Sequence, residues 1–207
     1  MNSKAFKQNF PRLMFFLSLI SLLTVNRQLS AHDIEEKIHQ TIDDISDACK
    51  KAVEKLGNEV DAIQKYLENY SWKGVVQDQA TSGDATLSHL KLNDHRRVVA
   101  VKVGEQIHGA VNCSLDAKKA SFFSVHRVVI GLKGLGPQTA IYTNVGARGG
   151  ESTEYFTLMA PNTPGFCQIR FRATDHFLES SALEAWYDDE GREPDASSTI
   201  GIIYVIP

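Results

Sequence analysis

The side chains of this 207-residue chain best suited to chemistry are its seven histidines, its three cysteines and a tract of aromatic and acidic residues near position 190. His89, His108 and His126 fall in strand-like stretches, and His32 and His39 lie seven apart in an acidic helical one. No HxH or HExxH spacing links them, as a metal-dependent hydrolase would need. Asp175-His176 with Ser180 or Ser181 has the residue types of a hydrolytic triad, yet the chain lacks the G-x-S-x-G elbow that would expose the serine. Gly131 to Pro137 (GLKGLGP) matches neither the dinucleotide nor the P-loop glycine pattern and reads as a strand ending in a tight turn. With no CxxC and no Cys/His cluster at zinc spacing, neither a structural metal nor a cofactor is expected. No catalytic residue is assigned, and the sequence points away from an enzyme.

Two surface constellations remain as ligand-binding candidates. Arg170 and Arg172 alternate on one strand, and Arg127 and Lys133 on another, where guanidinium groups could hold carboxylate, sulfate or phosphate. The plainer reading is a solvated sheet face paired with nearby acids. In residues 185–195 (AWYDDEGREPD), Trp186 and Tyr187 adjoin Asp188, Asp189, Glu190, Glu193 and Asp195. Rings there could stack on sugars while carboxylates bind hydroxyls or calcium. The competing reading is an acidic loop with Trp186 tucked into the core. Asn69-Tyr70-Ser71 and Asn112-Cys113-Ser114 fit the glycosylation pattern, which matters in a eukaryotic host.

The elements that must position these residues divide the chain into three parts. Residues 1–31 read as a signal peptide, with a basic start (Lys4, Lys7, Arg12), an apolar run from Leu13 to Val25 and a small residue, Ala31, before cleavage at His32. Thirteen residues are too few for a stable membrane span. Cleavage would leave 18 basic against 25 acidic residues, a net charge of −7 that disfavours nucleic acid as partner.

Residues 32–70 carry an amphipathic, coiled-coil-like stripe running from Ile34 through Ile38, Ile42, Ile45, Cys49, Ala52, Leu56, Val60, Ile63 and Leu67 to Tyr70. Ile42, Cys49, Leu56, Ile63 and Tyr70 recur every seven residues, the interval of a short seam. The stripe can serve self-association through residues 34–70 or docking on the chain's own β domain. Gly57-Asn58 interrupts it, and one long, kinked helix is expected over two consecutive ones.

From residue 71 to 207 the period becomes two, with strands expected at 72–77, 85–92, 97–103, 106–115, 123–133, 138–145, 153–160, 165–173 and 199–206. Short strands separated by turn residues, without helical crossovers, predict an antiparallel β-sandwich of jelly-roll or immunoglobulin-like type. Residues 160–171 (APNTPGFCQIRF) resemble the proline-glycine entry into an inner strand common in such modules. Alternation turns Ile107, Val111, Cys113 and Leu115 inward on one strand, and Cys167, Ile169, Phe171 and Ala173 inward on another. In an oxidising compartment Cys113 and Cys167 could then form a disulfide, leaving Cys49 odd. The function these features fit is a secreted, non-enzymatic binding protein, periplasmic or extracellular, with a protein or glycan ligand. The alternative is a carbohydrate-binding module centred on Trp186 and Tyr187.

Overall fold

The computed structural model describes residues 31–56, 59–116, 126–134, 136–142, 150–176 and 178–207. The expected signal segment lies outside them but for Ala31, as do Gly57 and Asn58. Two helices come first, α1 (Ala31–Leu56) and α2 (Val60–Glu68). Strands β1 (Gln79–Ser82), β2 (Ala85–Leu92), β3 (Val98–Lys102) and β4 (Gln106–Leu115) follow. Then come β5 (Arg127–Leu132), β6 (Gly136–Tyr142), β7 (Gly150–Met159) and β8 (Gly165–Thr174). A short α3 (Glu179–Glu184) and a 3-10 turn (Ala196–Ser198) lead into β9 (Thr199–Ile206). None of the described helices is long and apolar enough to cross a membrane.

The strands form two sheets, β1-β2-β4-β7 and β3-β9-β8-β5-β6. Their facing sides share the main core, where Leu87, Ile107, Val111, Ile130, Phe171 and Ile203 are buried. The inward parity expected for β4 holds, and Ile169 and Phe171 lie in this core with Cys167 and Ala173 packed against it. β5 and β9 are buried at every residue, because apolar layers lie on both sides of the five-stranded sheet. On its outer side Ile38, Ile45 and Cys49 of α1 and Ile63 and Leu67 of α2 pack with Val98, Ala100, Ile202, Tyr204 and Ile206. The helical stripe thus faces the chain's own sheet. Each of the isoleucines, the leucine and the valine contributes about 1.5–3 kcal/mol by leaving water.

Three expectations change. The helical region is two helices, α1 ending at Leu56 and α2 starting at Val60, in place of one long helix. Residues 72–77 form turns, with the Val75 and Val76 amides donating to the Trp72 carbonyl. Their apolar side chains serve the helix–sheet core, while the polar Gln79–Ser82 pairs with β2 as the edge strand. The sandwich is also not purely antiparallel, since β3 runs parallel to β9. As the edge of its sheet, β3 would present open backbone groups, and Gln64 of α2 meets them. Its Oε1 accepts from the Ala100 amide at 2.7 Å, and its Nε2 donates to the Val98 carbonyl at 3.2 Å.

Candidate functional site

The arginines expected on a solvated face lie on the outer side of the sheet, as their parity requires, but that side is covered. Arg170 is 2% exposed. It donates to Gln168 Oε1, to the Pro194 carbonyl at 2.6 Å and to Glu35 of α1 at 2.9 Å. Lys133 also pairs with Glu35. Burial alone would raise the Glu35 pKa, but the hydrogen bonds and charges of Lys133 and Arg170 outweigh it and bring the carboxyl to about 2. Arg127 is likewise buried and donates to the His176 carbonyl at 2.9 Å. Arg172 is half-buried and donates to the Arg192 carbonyl. Arg127 and Arg170 therefore join the sheet to the segments lying over it.

Trp186 is 0% exposed, packed with Val129 and Ala182, so its ring offers no face to a ligand. Gly131 makes this packing possible, since a Cβ there would sit 2.9 Å from the indole ring. Asp188 closes its own loop by accepting from the amides of Glu190 and Arg192 and from the Arg192 guanidinium. Those bonds, led by the Arg192 amide, hold its carboxyl below the usual range. Glu193 accepts from the Gly134 amide, and Asp195 caps the 3-10 turn through Ser197. Tyr187 and Asp189 stay exposed and border a shallow hollow with Arg172, His176 and Ser181.

All three cysteines are free thiols, so the expected Cys113–Cys167 disulfide is absent. The reason is their placement along the sandwich. Cys113 lies at the end of β4 beside the β1–β2 turn, and that turn meets Ala173, whose amide donates to Ser82. Cys167 is six residues from Ala173 along β8, roughly 20 Å away, whereas a bridge needs Cα atoms within about 7 Å. Burial raises the thiols to about 11 for Cys49 and Cys167 and about 12 for Cys113, well away from thiolate chemistry.

Three residues that no spacing rule could link converge at one end of the sandwich. Asp84 closes the turn between β1 and β2, with its carbonyl accepting from the Asp116 amide at 3.0 Å. His126 directly precedes β5 and Asp175 directly follows β8. Because Arg127 pairs with Thr174, these two continue the antiparallel ladder as neighbours. His126 Nδ1 lies 2.8 Å from Asp84 Oδ2 and 2.9 Å from Asp175 Oδ1, and the three ligating atoms are within 4.8 Å of one another. The imidazole is 3% exposed, the Asp84 side chain 14% and the Asp175 side chain 70%, so the cluster opens to solvent chiefly on the Asp175 side. One nitrogen and two carboxylate oxygens are a donor set for protons or a cation.

The outer face of the four-stranded sheet differs from its counterpart. Thr81, Asn112, Thr153 and Tyr155 are exposed on it, Tyr155 at 79%. In its middle, β2 carries a bulge between Ser88 and Lys91, where His89 adopts a φ of 55°. The bulge borders two hollows, of about 390 and 320 Å³. One is edged by Asp78, Lys91, Arg96 and Arg97, the other by Asn112, Ser114, Ser152 and Thr153.

No protein-family model matches the chain, and no curated protein matches it in sequence. Among solved structures it is similar to the CARDB domain of a Pyrococcus furiosus protein. A solution structure of that domain aligns with a TM-score of 0.35 and 14% identity, over 59% of this chain and 94% of the domain. A crystal structure of the domain in complex with di-metal ions aligns with a TM-score of 0.33 and 13% identity, over 66% of this chain and 100% of the domain. Likenesses of this size assign neither a family nor an activity.

Proposed function

We propose that the chain is an exported, non-catalytic interaction protein: a β-sandwich head braced by its amino-terminal helices, which meets a protein partner on the outer face of the four-stranded sheet. The observation that supports this most is the asymmetry between the sheets. Helices, Trp186 and the Pro194 segment cover the outer side of the five-stranded sheet. Across the other sheet Thr81, Asn112, Thr153 and Tyr155 are exposed. Hydroxyl and amide groups around an exposed tyrosine suit a broad, shallow contact, because tyrosine combines apolar area with a polar tip. Export rests on the basic start, apolar run and small residue of residues 1–31.

A photo-crosslinking residue placed at Tyr155 in the native host tests the face, with the same residue at Lys65 of α2 as the control. Discrete adducts from position 155 and none from 65 are expected; equal yields, or none at 155, would overturn the reading. The protein recovered outside the cytoplasm should begin at His32. The carbohydrate alternative now rests on Tyr187, which is exposed beside Asp189 and Arg172. Glycan binding abolished by Tyr187→Ala and untouched by Tyr155→Ala would favour it.

A further inference from the structure

We propose that Asp84, His126 and Asp175 bind one divalent first-row transition cation, which ties the two sheets together at this end of the sandwich. The inference is independent of the partner-binding face. Asp84 comes from the four-stranded sheet's β1–β2 turn, and His126 and Asp175 from adjacent strand ends of the five-stranded sheet. Two carboxylate oxygens are drawn to a single buried imidazole nitrogen, at 2.8 and 2.9 Å. One N–H can align with only one acceptor, whereas a cation beside the nitrogen attracts both anions and uses the nitrogen's lone pair.

The ligand types select the ion. Calcium takes six to eight oxygen ligands, whereas one of these three donors is an imidazole nitrogen. Magnesium lacks the affinity for imidazole that zinc and its neighbours have. The mixed nitrogen and oxygen set therefore fits Zn²⁺ or Mn²⁺, with water filling the positions on the side of the exposed Asp175.

Calorimetric titration of the metal-free full chain with ZnCl₂ and with MnCl₂ tests this, together with the variants Asp175→Asn and Asp84→Asn. Asp175 is exposed and outside the core, so its variant folds and decides the matter even if the Asp84 variant does not. Saturable binding of either ion to the wild type, weakened at least about tenfold by Asp175→Asn, is expected. Binding of neither ion would overturn the proposal. So would binding that Asp175→Asn leaves unchanged, which would place the ion elsewhere.

Discussion

Arg170 and Glu35 show how much a few buried polar residues determine here. A buried guanidinium costs free energy unless its donors are met, and the partners come from β8, the Pro194 segment and α1. Glu35→Ala removes the charge that meets Arg170 and Lys133 and should lower unfolding free energy by about 3 kcal/mol, measured by denaturant titration. Glu35→Gln should cost less. The Glu35 carboxyl has its pKa lowered from 4.5 to about 2, so its stabilisation is complete above the first value and lost as pH falls toward the second. Between about pH 5 and 3 the wild type should therefore lose more stability than Glu35→Gln. Equal slopes would contradict the ion pair. Gly131 works by size: in Gly131→Ala the new methyl meets the Trp186 ring and the Pro137 backbone, each at 2.9 Å. A loss of about 1–3 kcal/mol is expected by the same titration.

At the scale of elements, alternation bounded by turn residues located several strands to the residue, including 85–92, 106–115 and 199–206. Where side chains answer to another layer, that signal fails. Trp72, Val75 and Val76 look like a strand because they are apolar, yet they are apolar to fill the space beneath the helices. QATS at 79–82 has no alternation and is a strand only because the following hairpin supplies its partner. Parity placed Arg170 on the outer side correctly, but parity cannot reveal the helix that covers it. Asp84, His126 and Asp175 were invisible as a set, being 42 and 49 residues apart and joined only by strand register and sheet stacking. The edge of β3 offers a test at this scale. In Gln64→Ala the Ala100 amide and Val98 carbonyl lose their side-chain partner, with an expected cost of about 1–3 kcal/mol and faster hydrogen exchange at Ala100. Unchanged exchange there would mean that Gln64 does not close the edge.

Among the described residues of the whole molecule the layers run from a sheet with an exposed outer face, through the main core, to a sheet covered by helices. The heptad-like stripe that suggested assembly packs Ile38, Ile45, Cys49, Ile63 and Leu67 against Ile202, Tyr204 and Ile206, all of them buried. Closing one face with the chain's own helices leaves the other as the face proposed to meet a partner. Deleting residues 32–70 would uncover the apolar outer side of β3 and β9, a contiguous patch of the kind that drives association. Light-scattering mass of the chain from His32 onward and of that deletion tests this most directly. A monomeric chain from His32 onward and a self-associating or insoluble deletion are predicted; a dimer that becomes a stable monomer on deletion would show the helices joining chains instead.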